Sequence, residues 1–136
     1  MPHSSVVMVS AQCRAICFLA SRGLHSVATS QKCIEYLCDT LIHESARSMA
    51  AEYFAICGAD FSLYTDELAM AMKRSSLISS KANLLLALGR CHNQRALSTI
   101  SDVLLDQDQD IRLTINAIQA LKNFPYYDCK DKMLLM

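Results

Sequence analysis

An all-α fold is predicted by a repeated pattern in this 136-residue sequence and by its shortage of helix breakers. Four segments begin with a basic residue and continue with small and apolar residues, and those basic residues are 33, 34 and 31 positions apart. A period in this range is typical of stacked helical repeats. Only three Gly and two Pro occur, which suits a largely helical chain. The sequence therefore predicts a short right-handed α-solenoid of about three antiparallel helix pairs, with the four basic residues at Arg14, Arg47, Lys81 and Arg112.

Hydrophobic spacing and capping residues divide the chain into elements. Gly23 and Gly89 lie where helices end, because glycine is the usual residue just after a helix. Thr29 or Ser30, and later Thr65, lie where the N-caps of two further repeats belong. We expect one domain over residues 1–136, divided into 6–23 (a partial repeat), 30–58, 65–90 and 94–124 (three helix pairs), and 125–136 (a tail or the start of a further helix).

The balance of charges argues against two classes of partner. The chain has 13 basic and 13 acidic residues and no run of like charges. Nucleic-acid-binding proteins usually carry a basic surplus or stripe, and membrane-surface helices a polybasic face. We therefore expect neither nucleic acid nor a membrane as a partner. The sequence also lacks an apolar stretch long enough to span a membrane, and its N-terminus lacks the basic start of a signal peptide.

The cysteines favour a reducing compartment. Their number is seven, which is odd, and none of them forms a CxxC pair. The closest pairs, Cys13/Cys17 and Cys33/Cys38, are about one helical turn apart and are expected to face a core as small apolar residues. A disulfide or a metal site is the alternative. Reduced thiols predict an intracellular, cytoplasmic protein.

Two segments resemble HEAT and HEAT-like repeats. Ser80–Gly89, with the sequence SKANLLLALG, is similar to a second HEAT helix, and Leu104–Arg112, with the sequence LLDQDQDIR, is similar to the acidic turn that precedes one. The resemblance covers roughly residues 10–124. It implies a concave surface formed by the second helix of each pair, on which exposed polar residues contact a partner. The candidate contact residues are Arg47, Glu52, Lys81, Asn83, Arg112, Asn116 and Gln119.

Motifs for chemistry are incomplete in this chain. His43–Glu44 begins a zinc-protease signature, but Arg47 stands where its second histidine belongs. HEAT-like deoxyhypusine hydroxylases use several His-Glu pairs to hold two irons, and this chain has one. Asp106–Asp110 resembles the start of a calcium loop but lacks its glycine and its final glutamate, where Ile111 and Ala117 stand. We therefore predict no catalytic, cofactor-binding or metal-binding residues.

The function predicted is protein–protein interaction, as a scaffold or adaptor without catalysis of its own. The alternative is an enzyme-associated HEAT-like protein, similar to bilin lyases, to the metal hydroxylases or to the helical C-terminal region of zinc aminopeptidases. HEAT-like DNA glycosylases present a basic face, which the zero net charge disfavours. Self-association is a further hypothesis, since both ends of the chain are apolar, Val6–Val9 at one and Met133–Met136 at the other.

Overall fold

The computed structural model describes residues 6–39 and 41–125, with side chains from Met8 onward, and this part of the chain is all-α. It contains seven α-helices, one short 3-10 helix and no strand. The helices are α1 Val6–Ser21, α2 Val27–Cys38, α3 Glu44–Ile56, α4 Thr65–Arg74, α5 Ile78–Leu88, α6 Gln94–Leu105 and α7 Ile111–Leu121, with the 3-10 helix at Ser62–Tyr64. The tail or further helix predicted within 125–136 lies, after Pro125, outside the described residues.

The chain divides into two compact units, Met1–Gly58 and Ala59–Met136. The boundary falls between the predicted repeats 30–58 and 65–90. In the first unit, α3 packs against both α1 and α2. In the second unit, α5 packs against α4 and α7, and α6 packs against α7. The helices α3, α5 and α7, which were predicted as the second helices of their pairs, therefore each pack against at least two other helices of their unit.

The core of the first unit is built around Tyr53 and Phe54 of α3. Both side chains are fully buried, and their rings meet edge to face with centroids 5.1 Å apart. The Tyr53 hydroxyl lies 2.8 Å from Ser30 Oγ and 3.2 Å from Thr29 Oγ1, so its polar end is hydrogen-bonded to α2. Burial raises the pKa of this phenol.

Two helix starts differ from the prediction. The N-cap of α2 is Ser26, whose Oγ accepts a hydrogen bond from Thr29 N, while Thr29 Oγ1 accepts one from Ser26 N. This reciprocal capping box places Thr29 in the first turn, so the prediction of Thr29 or Ser30 as N-cap is wrong. Thr65 is the first residue of α4 and not its N-cap, because its hydroxyl donates to the Ser62 carbonyl.

The predicted end of the first helix is confirmed at Gly23. This residue has a φ of 81°, which favours glycine, and its N–H bonds to the Ala20 carbonyl. The next N–H, that of Leu24, bonds to the Leu19 carbonyl and completes the usual left-handed cap.

Cysteines fill the cores, as the sequence predicts, with the exception of Cys38, which is half-buried at the end of α2. No disulfide joins the described cysteines, and five of them are buried: Cys13, Cys17, Cys33, Cys57 and Cys91. Burial raises the pKa of Cys13 to about 11 and that of Cys91 to about 11. Burial, with smaller contributions from Glu52 and Cys13, raises the pKa of Cys17 to about 12. Burial also raises the pKa of Cys33.

We expect the buried thiols to react slowly in the folded protein. Only the thiolate is nucleophilic, and raised pKa values leave little of it at neutral pH. Mass-spectrometric mapping of iodoacetamide labelling at pH 7.5 should show Cys13, Cys17 and Cys91 labelled at least about tenfold more slowly than in urea.

The same buried thiols make the stability of the folded protein depend on pH. Their folded pKa values lie above the ordinary 9.0, so the unfolded chain loses thiol protons first, and stability falls as pH rises above about 9. Equal labelling of folded and unfolded protein, or stability that rises with pH in this range, would contradict the burial of these thiols.

The buried positions give the repeat a corrected register. The helices α3, α5 and α7 each bury a triad with the same spacing, namely Ala46/Ala50/Tyr53, Ser80/Leu84/Ala87 and Leu113/Ala117/Ala120. The triads begin 34 and 33 residues apart. In this register Thr114 is the residue equivalent to Lys81. The predicted alignment of Lys81 with Arg112 is therefore wrong by two residues. Arg112 instead lies in the first turn of α7, beside its cap Asp110.

Candidate protein-binding surface

Three of the predicted contact residues form one outward stripe on α7. Arg112, Asn116 and Gln119 follow an i, i+4, i+7 spacing, which places them on one side of a helix. Arg112 and Gln119 are exposed and Asn116 is half-buried. The stripe begins next to the acidic turn and continues to the C-terminal end of the helix.

The neighbouring helix α5 lies directly beside this stripe. Asn116 Nδ2 donates a hydrogen bond of 3.0 Å to the Ala82 carbonyl of α5. Seven residues further along α5, Gly89 approaches Ala120 so closely that a Cβ on Gly89 would lie 2.9 Å from Ala120 Cα. Since these contacts progress in the same order along both helices, α5 and α7 run in the same direction. Asn116 is thus a link between helices as well as a surface residue.

The helix α5 carries a stripe of residues equivalent to the stripe on α7. The equivalents of Arg112, Asn116 and Gln119 are Ser79, Asn83 and Leu86, which are exposed or half-buried. Sequence reasoning identified Asn83 alone among the three, because the alignment on basic residues concealed the other two. The second-helix ridge is defined by Ser79, Asn83 and Leu86 of α5 together with Arg112, Asn116 and Gln119 of α7.

Two of the predicted contact residues lie away from the stripes of their helices. Lys81 is two positions from Asn83, which rotates it by about 200° around α5, and it is half-buried. Arg47 has the same register as Lys81 and pairs with Glu44 at 2.6 Å. Lys81 therefore lies away from the second-helix ridge, and Arg47 lies away from the stripe position of its own helix α3.

Glu52 lies on α3, within the first unit, and is exposed. Its register in α3 is that of Gln119 in α7 and Leu86 in α5, so it occupies the position of the outward stripe on its own helix. Its carboxylate lies near enough to Cys17 to contribute to the raised pKa of that thiol.

Arg112 is held by the residue that caps its own helix. Asp110 Oδ1 accepts a 2.8 Å bond from Arg112 N, and its two carboxylate oxygens each accept a 3.0 Å bond from the guanidinium. These bonds and the guanidinium charge lower the pKa of Asp110 to about 2. The arginine side chain remains 65% exposed, so most of its donors face solvent.

The isoleucines of α7 are the feature that sequence reasoning missed. Ile111, Ile115 and Ile118 mark the helical period in the sequence, yet they are 68%, 48% and 49% exposed. The side of α7 that is buried carries Leu113, Ala117 and Ala120 instead. The isoleucine face, defined by Ile111, Ile115 and Ile118, thus lies opposite the packed side of α7 and borders the polar stripe.

His43, from the incomplete zinc-protease signature, has a structural role. His43 is the N-cap of α3, where its Nδ1 accepts a hydrogen bond of 3.1 Å from Ser45 N. Within the described residues, no group of three or more His, Cys, Asp or Glu side chains is placed to hold a metal ion. Across the same part of the chain, none of the helices combines the length and apolar character needed to cross a bilayer.

An open groove runs along α4 and α6 of the second unit, with a volume of about 660 Å³. Arg95 and Asp66 form an exposed ion pair of 2.8 Å across it, and Lys73 and Asp102 also line it. Charges of both signs with a pre-formed ion pair suit a solvated groove between helices. The surface best defined by geometry therefore remains the second-helix ridge.

The described part of the chain is all-α and carries a largely polar surface on the packed helices α5 and α7. Comparison with protein-family models, with curated proteins and with solved structures finds no match.

Proposed function

We propose that this chain is a protein-binding module built from HEAT-like helix pairs, and that the second-helix ridge contacts the partner. The observation that carries the proposal is the side-by-side packing of α5 and α7 with a shared outward register. This packing sets two stripes of amide, guanidinium and apolar side chains next to each other. A rigid surface of this kind binds with little loss of conformational freedom.

The antiparallel pairing and solenoid arrangement are part of the same proposal. Two observations support them. The helices α5 and α7 run in the same direction, and α6 connects the end of α5 to the start of α7, so a return path through α6 is required. The triads at Ala46, Ser80 and Leu113 recur with the period expected of a repeat.

We also propose that the module works in the cytoplasm, as one segment of an assembly. The buried, reduced thiols of both units support this location, since such thiols persist in reducing compartments. The even balance of charge supports a protein partner with a polar face over a nucleic acid.

Affinity capture with a matched pair of variants tests the proposal. The ridge variant is Arg112→Ala/Gln119→Ala. The control variant is Lys73→Ala/Gln94→Ala, which removes one basic and one glutamine side chain from exposed positions on α4 and α6. We expect proteins captured by the wild type to be retained by the control and lost with the ridge variant. Capture that the ridge variant retains in full would contradict the assignment of the ridge.

A further inference from the structure

The isoleucine face of α7 has the register of a packed surface. Its residues Ile115 and Ile118 correspond to Ala82 and Leu85 of α5, which are buried. One turn further along the same face of α7 lies Lys122. It corresponds to Gly89 at the end of α5, which packs against Ala120. On α5 this side is therefore the one that α7 covers.

The same side of α7 is open to solvent, although it carries larger apolar groups. Three isoleucines at i, i+4 and i+7 form a seam of the kind that packs against another helix. A contiguous apolar patch on a surface usually marks an interaction site. The exposed isoleucines therefore indicate a surface suited to packing against another helix.

We propose that this face binds the same face of a second copy of the chain, with the two α7 helices antiparallel about a two-fold axis near Ile115. In this arrangement Ile111 of one copy lies near Ile118 of the other. Closed two-fold dimers are the commonest assemblies of soluble proteins, because one self-complementary surface is enough. The dimer face lies on a different side of α7 from the polar stripe proposed to bind the partner.

Charge complementarity favours a second copy over other occupants. At the C-terminal end of the seam stands the exposed cation Lys122, and at the N-terminal end the turn that contains Asp106, Asp108 and Asp110. Antiparallel pairing brings each Lys122 beside the acidic turn of the other copy. It also sets the helix dipoles in opposition, which is favourable.

The dimer is expected to be weak. The seam is a single helix of 11 residues, about 16 Å long. It offers less than the roughly 800 Å² per partner that stable complexes bury. We therefore expect association that changes with dilution between about 100 μM and about 1 μM.

Sedimentation velocity on the purified full chain tests this proposal without any partner protein, so its outcome is independent of the capture experiment. The wild type should shift from monomer towards dimer over that range. Ile115→Asp should weaken association by at least about tenfold, because it places two carboxylates on the axis. The control Met70→Asp, at a somewhat more exposed apolar position on α4, should behave as wild type.

A second experiment exchanges the charges at the two ends of the seam and leaves its isoleucines unchanged. Lys122→Asp and Asp108→Lys should each weaken association, and the double variant should recover it. A wild type that stays monomeric at 100 μM would overturn the proposal. A different protein would then be the remaining candidate for this face. Association by Ile115→Asp at wild-type strength, or a double variant no better than the single ones, would also overturn it.

Discussion

Replacing Gly89 by alanine is expected to destabilise the second unit by about 1–3 kcal/mol. The added Cβ would lie 2.9 Å from Ala120 Cα and 3.0 Å from Ala120 Cβ. Since one of these atoms is backbone, α5 and α7 must move apart to relieve the contact. Alanine has the better helix propensity by about 1 kcal/mol, and Gly89 has a helical φ of −62°. A net loss of stability would therefore report the close packing of the two helices.

Gly58→Ala is the matched control. Nothing lies within 4 Å of the Cβ that this change would add, and Gly58 has no positive φ. We expect its stability to equal or slightly exceed that of the wild type. Urea unfolding followed by circular dichroism measures both variants, and hydrogen exchange locates the change to peptides of α5 and α7. A Gly89→Ala protein as stable as Gly58→Ala would contradict the packing of α5 on α7.

Tyr53→Phe is expected to cost about 1–3 kcal/mol in the free energy of unfolding. The change removes only the hydroxyl, which lies 2.8 Å from the buried Ser30 Oγ and 3.2 Å from Thr29 Oγ1. The ring and its edge-to-face contact with Phe54 remain. The cost arises because Ser30, at the interface of α2 and α3, is left buried without this hydrogen-bond partner.

A double variant separates this cause from a loss of packing. Ser30→Ala/Tyr53→Phe removes both polar groups, so it should be more stable than the sum of the two single changes implies. A coupling of at least about 0.5 kcal/mol in urea unfolding is the expected result. Strictly additive single changes would show that the hydroxyl pair contributes nothing.

Much of the fold follows from local patterns. The all-α class and the end of α1 at Gly23 were predictable, because hydrophobic spacing and capping act over a few residues. The start of α2 was missed since its capping box uses Thr29 in place of the more common glutamate. The last predicted interval of 31 residues was wrong, since the buried triads of α5 and α7 lie 33 residues apart. Arg112 was a poor marker of the register because it bonds to the N-cap Asp110 of its own helix.

The surface was harder to predict, since it depends on contacts between helices that are distant in sequence. Gly89 was predicted only as the end of a helix, and the structure shows that its missing side chain also allows Ala120 of α7 to pack closely against it. Asn116 was predicted as a contact residue, and the structure adds its bond to the Ala82 carbonyl. The exposure of the isoleucines on α7 could not be read from the sequence, because their spacing alone is that of a buried face.

The affinity of the ridge for a purified partner tests the central proposal most directly. A protein recovered by capture would be titrated calorimetrically against the wild type, Arg112→Ala/Gln119→Ala and Lys73→Ala/Gln94→Ala. If the second-helix ridge is the binding surface, the ridge variant should bind at least about tenfold more weakly, a loss of about 1.4 kcal/mol, while the control binds as wild type. Equal affinity for all three proteins would contradict the proposed function.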